Sequence, residues 1–93
     1  MIYAYAQITV TNPDAFSAYR EKAADALAKH GGAVAGASME PTVIDCTPNV
    51  PNVAVVLTFP DRDAALSWIN DETLSDLHDL RRSAGASDIL LLA

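Results

Sequence analysis

Only one cysteine, Cys46, stands in these 93 residues. No internal disulfide can form, so stability must come from packing, and a lone thiol suits a reducing cytoplasm, where the protein is expected to reside. Asp45 adjoins Cys46 and no basic residue lies near it in sequence. A reactive thiolate is therefore disfavoured. Positive charge is also scarce: six lysines and arginines face twelve carboxylates, for a net charge of −6. Only Arg81 and Arg82 are adjacent, so there is no basic face to neutralise phosphates, which argues against nucleic acid as a partner. Long apolar runs are missing, so no membrane association is expected. The segment Met1-Ile2-Tyr3-Ala4-Tyr5 lacks a basic start and a cleavage site, so no signal peptide is expected. Histidine is limited to His30 and His78. Neither falls at close metal-ligand spacing with the other, with Cys46 or with a carboxylate, so no metal is expected. Gly31-Gly32 follows a helix, whereas a phosphate loop precedes one, and no cofactor is expected.

What the chain has in quantity is apolar surface: 51% of residues are hydrophobic and 19% charged. One domain over residues 1–93 is the expectation at this length. So small a domain has a modest stability margin, which pairing with a second copy would widen. Residues 2–10 alternate, with Ile2, Ala4, Ala6, Ile8 and Val10 on one face and Tyr3, Tyr5, Gln7 and Thr9 on the other. A period of two predicts a strand whose small apolar face lies under helices. Asn12-Pro13-Asp14 opens a helix carrying Phe16, Tyr19, Ala23 and Leu27 as its apolar stripe, with Lys29 and His30 at its end and Gly31-Gly32 as the stop. Residues 33–39 predict a weak strand, which Thr42–Asp45 continue after a bulge. Pro48–Asn52 form a turn or loop, and Val53–Phe59, apolar on both faces, predict a central strand.

The second half of the chain is the most telling. Asp61 caps a helix with Ala65, Leu66, Trp68 and Ile69 on its apolar side. Asn70-Asp71-Glu72-Thr73 breaks that helix and Thr73 caps its restart, where Leu74, Leu77 and Leu80 form a second stripe. Residues 88–92 are the last strand. The order β-α-β-β-α-β predicts an α+β, ferredoxin-like, four-stranded antiparallel sheet with helices on one face. The uncovered face would carry Tyr3, Tyr5 and Gln7 beside Ala54, Val56 and Thr58. That mixture is too apolar for water, so sheet-to-sheet packing in a homodimer is expected.

With this pattern in place, the chain resembles the DUF1330 family, small bacterial proteins of the dimeric α/β-barrel superfamily. The resemblance runs over nearly the whole chain. It is carried by Tyr3, Ile8–Val10 with Thr11-Asn12-Pro13, Phe16 and Tyr19, and His30-Gly31-Gly32. Further on it is carried by Phe59-Pro60-Asp61, Ala64-Ala65, Trp68, Leu80-Arg81-Arg82 and the leucine-rich end. The chain departs from the family after Gly31-Gly32, where Ala33–Ser38 replace a large residue and an arginine-bearing strand. It departs again at Asn70–Leu74. The resemblance implies fold and dimer, and it implies no settled activity.

Seven residues are candidates for a site. His78 and Arg81 lie one helical turn apart. Such a pair can move a proton and steady an oxyanion, and these two are the catalytic candidates. The alternative for Arg81 is a surface ion pair to Asp76, Asp79 or Asp88. Tyr3, Tyr5, Tyr19, Trp68 and His30 are the ligand-contact candidates. Against this, Trp68 can simply fill core, Tyr3 and Tyr5 can fill the dimer interface, and His30 can cap its helix. Three functions remain open. One is a homodimer that binds a small apolar or aromatic molecule between sheet and helices. The second is a cofactor-independent monooxygenase- or isomerase-like enzyme, with His78 and Arg81 aimed at a cavity whose other wall is Tyr3 and Tyr5. The third is a purely structural or interaction dimer. A cavity near 300 Å3 or larger, with Arg81 and a histidine pointing in, would favour the enzyme, and one lined by neither would favour the binder.

Overall fold

The alternation of residues 2–10 becomes strand β1 (Ile2–Val10) in the computed structural model, which describes residues 1–93. Ala4, Ala6 and Ile8 are buried, while Tyr3 and Thr9 are exposed. The other strands are β2 (Ala33–Ser38), β3 (Val53–Phe59) and β4 (Gly85–Leu92), and the sheet order is β2-β3-β1-β4. All pairings are antiparallel, with Ala4 opposite both Leu57 and Leu91 and Tyr5 opposite both Val56 and Leu90. This is the α+β ferredoxin-like sheet expected, with β1 and β3 in its centre.

Helix α1 (Pro13–Ala28) starts where Asn12 accepts a hydrogen bond from the Ala15 N–H and Pro13 takes the first turn. It stops at Gly31, whose φ of +73° lies in the left-handed region that glycine occupies without cost. Helix α2 (Arg62–Asn70) is capped by Asp61, which accepts from the Ala64 N–H. The break between α2 and α3 (Ser75–Ser83) is a short 3-10 turn over Glu72–Leu74. Here the expected Thr73 cap gives way to Asp71. Its carboxylate accepts from both the Thr73 N–H and the Thr73 hydroxyl, and α3 itself begins without a side-chain cap. Asp is the better acceptor because it brings a full negative charge to the positive end of the turn.

Two other expectations are corrected. Residues 42–45 do not continue β2, and 39–52 form one proline-bearing connection, tied back to β1 where the Asn52 side chain accepts from the Val10 N–H. The bulge lies earlier, between Val34 and Gly36. β4 begins three residues sooner than expected, at Gly85, because that residue pairs with Val10.

The core lies between the helices and one sheet face. Ala4, Ala6, Leu27, Leu57, Phe59, Ala65 and Trp68 form its main cluster, and Ile8, Phe16, Val53 and Ala84 a second. Phe59 and Trp68 meet with ring centroids 5.6 Å apart, within the range of favourable tilted pairs. The opposite face is open. It presents Tyr3, Val56, Leu90 and Leu92, the last two 64% and 59% exposed.

Candidate functional site

The small residues that make α1 compatible with a close-packed sheet also leave space beneath it. Ala23, Ala24 and Leu27 of α1 face Ala6, Ile8 and Val53 across a cavity of about 240 Å3 that Tyr19 and Trp68 also line. Fourteen of the fifteen lining residues are hydrophobic, and the exception is Arg20. Trp68 also borders a smaller apolar hollow of about 160 Å3 with Ala4, Phe59 and Leu91, so its indole is a wall between two voids.

Behind that wall sits a buried polar group. Arg81 is 4% exposed and His78 2% exposed. The Arg81 Nη1–H donates to His78 Nδ1 at 2.7 Å, and Nε–H donates to Ser87 Oγ at 3.2 Å. The guanidinium carbon lies 5.5 Å from the Trp68 ring centre and 5.8 Å from that of Tyr19, within range of cation–π attraction. Because a guanidinium only donates, His78 Nδ1 must be the acceptor, and the ring proton is on Nε2. That N–H donates to the Trp68 carbonyl oxygen at 3.0 Å. The imidazole meets the Trp68 ring edge-on, 4.7 Å between centres.

Burial pushes the His78 pKa below the ordinary 6.5, and the Arg81 and Arg82 charges push the same way against the Trp68 carbonyl bond. The ring is neutral at neutral pH, and both its nitrogens are occupied. Such a histidine positions Arg81; as a proton shuttle it would first have to give up the Arg81 bond. A folded-state pKa below the unfolded one means that the unfolded chain binds more protons as pH falls through 6.5. Stability conferred by neutral His78 is thus present above that pH and lost below it. Urea midpoints measured at about pH 7.5 and about pH 5.5 are expected to show the loss, and His78→Gln, which can still donate and accept, is expected to shrink it. An equal pH dependence in both proteins would contradict this account.

The structure divides the seven candidates among three places. Tyr19 and Trp68 line the cavity, and Arg81 and His78 stand directly behind them. Arg81 makes no surface ion pair; it is Arg82 that pairs with Asp79. Tyr3 and Tyr5 project from the other sheet face and do not form a wall opposite His78 and Arg81, since period-two geometry sends them away from the helices. Tyr5 borders a separate hollow of about 340 Å3 under the 41–51 connection, and its hydroxyl donates to Gln7. His30 is elsewhere again and does not merely cap α1. Its Nε2 lies 2.8 Å from the Asp71 carboxylate, which also binds Lys29 at 2.8 Å. The Lys29 and Thr73 bonds, then that of His30, hold the Asp71 carboxyl far below the usual carboxylate range. This cluster fastens the end of α1 to the α2–α3 junction. Sequence reasoning missed Ser87, which anchors Arg81, and Asp71, which gathers three partners. The alternation of β4 contains the signal for Ser87, once the strand is begun at Gly85.

The fold is shared with several solved α+β structures. A protein of unknown function from Rhodopseudomonas palustris matches with a TM-score of 0.75 and 18% identity, over 98% of this chain and 79% of that one. SnoaB, a cofactor-independent oxygenase from Streptomyces nogalater, matches with a TM-score of 0.68 and 16% identity, over 99% and 90%. An antibiotic biosynthesis monooxygenase matches at 0.57 and 17%, over 100% and 97%. At these identities the likeness is one of fold. The sequence matches the model of the domain of unknown function DUF1330 over residues 1–93, and the chain belongs to that family. No curated protein matches it. No helix is long and apolar enough to cross a membrane.

Proposed function

We propose that this chain is a small-molecule-binding protein that works as a homodimer and takes an apolar or aromatic ligand between α1 and the sheet. The cavity of about 240 Å3, with fourteen hydrophobic lining residues of fifteen, carries this reading. It lies below the roughly 300–1,000 Å3 of drug-sized sites, so the ligand is small. Neither histidine nor Arg81 is in its lining. That favours binding over the enzyme reading, in which both would touch the reacting atoms. The enzyme reading keeps one support: SnoaB, of similar fold, is a cofactor-independent oxygenase. Under it, Arg81 would have to reach an oxyanion past Tyr19 and Trp68. The single exposed Cys46 fits a reducing cytoplasm.

The test uses Trp68 as the only tryptophan and therefore the only indole fluorophore. Para-alkylbenzamides are expected to change its emission saturably, and Ala23→Phe, which fills the cavity, is expected to abolish the change. No saturable change, or one that Ala23→Phe leaves intact, would contradict the cavity as the site.

Support for the dimer comes from the open sheet face. Leu90, Leu92, Tyr3 and Val56 form an apolar patch there that a monomer would leave in water. Leu90→Asp is expected to halve the mass seen by light scattering to the 9.8 kDa of one chain. A wild-type protein already of that mass would remove the dimer.

A further inference from the structure

We infer that the ligand of this cavity is a small amphiphilic acid: an apolar ring or chain that lies between α1 and the sheet and ends in one carboxylate at Arg20. The inference rests on the cavity being the binding site, as proposed above. Its first ground is the way the lining is graded. Ala6, Ile8, Leu27, Val53 and Trp68 are buried lining residues, so the inner part is dry and apolar. The exposed lining residues are Arg20 and Ala24 of α1 and Val34 and Ala37 of β2, which is an edge strand. The cavity thus opens between α1 and that edge, and Arg20 is the one charged residue of the opening. A ligand's charged group costs too much in the apolar interior and must stay at the mouth. The group it meets there is a guanidinium, which only donates.

The second ground is that Arg20 has no counter-charge of its own. The ion pairs of the chain are Lys29–Asp71, His30–Asp71 and Arg82–Asp79. The residues one turn away on α1 are Phe16, Ser17, Ala23 and Ala24, none of them acidic, although the chain holds twelve carboxylates. What holds the guanidinium is the Phe16 ring, whose centre lies 5.6 Å from the guanidinium carbon. Phe16 itself lines the cavity, so the charge is kept beside the opening.

Arginine presents a planar fork that a carboxylate meets with both oxygens, which makes a carboxylate the head group best matched to this position. The net charge of −6 repels anions from the chain as a whole, so a preference for an acid must arise locally.

A matched series decides the matter: para-alkylbenzoates against the corresponding para-alkylbenzamides, equal in shape and different in charge, titrated at neutral pH by calorimetry and by Trp68 emission. The wild type is expected to bind the benzoate about five- to ten-fold more tightly, as a charge-assisted contact weakened by solvent at the mouth demands. Added salt is expected to narrow that ratio. Arg20→Gln is expected to bring the two affinities together, and Arg20→Lys to keep part of the preference. Lys22→Gln removes the same charge from a nearby exposed position outside this lining, and it is expected to leave the wild-type ratio. Equal affinities in the wild type would overturn the acid while leaving the apolar site standing. A preference that survives in Arg20→Gln, or that falls as far in Lys22→Gln, would overturn the contact with Arg20. Absence of binding by either series would overturn the binding-site reading itself. Arg20 is exposed, so its variants are expected to fold.

Discussion

Gly85→Ala is expected to leave the chain largely unfolded. Gly85 begins β4 at φ +156°, a conformation that side chains rarely adopt, and it pairs with Val10 of β1. A Cβ at this position would overlap the carbonyl oxygen of Thr9 and press on the Thr11 backbone nitrogen. Backbone atoms cannot swing aside as a side-chain tip can. Just before it, the Ala84 carbonyl accepts the N–H groups of Thr11 at 2.8 Å and Asn12 at 3.0 Å, and Ala84 is fully buried. Any shift that relieves the overlap therefore breaks the joint that holds the start of α1 to the end of α3. Losses above about 4 kcal/mol arise from such combinations of steric overlap and backbone strain. Small domains have only about 5–15 kcal/mol in all. Far-ultraviolet circular dichroism in urea would show the transition moved to very low denaturant. A midpoint close to that of the wild type would mean that β4 does not run tightly against β1 here.

Trp68→Ala is expected to cost about 3–5 kcal/mol, the range for deleting a buried aromatic side chain. Trp68 touches Phe59, lies against the Arg81 guanidinium, meets His78 edge-on and separates two voids. Removing it would merge those voids and take away one of the two faces that shelter the Arg81 charge. Trp68→Phe keeps an aromatic ring at this position while removing the indole N–H and part of the bicyclic ring, so a smaller loss is expected. Circular dichroism is the appropriate probe, since both variants lose the chain's only indole. Equal losses in the two variants would show that the ring retained by phenylalanine restores none of the packing, and would contradict this account.

The fold was legible because its signals are local and agree with one another. Period two in Ile2–Val10, the Asn12-Pro13 start, the Gly31 stop and the all-apolar Val53–Phe59 each dictate their element with little help from tertiary context. The misreadings fall where a distant partner decides. β4 starts at Gly85 because Val10 is there to pair with it, and Asp71 rather than Thr73 organises the helix break because Lys29 and His30 reach it from α1. The site was legible only in part for the same reason. The one-turn spacing of His78 and Arg81 announced their contact, but nothing in sequence says that Arg81 is turned inward and closed off by Tyr19 and Trp68. Tyr3 and Tyr5 were correctly put on one face of β1, and the apolar void under α1 lies on the opposite, alanine-bearing face. A run of alanines in α1 reads as helix propensity. That Ala23 and Ala24 also leave room for a guest emerges only when α1 is laid on the sheet.

The cavity as a ligand site is tested most directly by the Trp68 indole N–H resonance, a single signal because the chain holds one tryptophan. Titration with a para-alkylbenzoate is expected to move that signal along the same saturation curve as the methyl signals of Ile8, Leu27 and Val53 around the void. An indole signal that stays in place while Val56 and Leu90 on the open sheet face shift would put the ligand on the other side of the sheet and contradict the account.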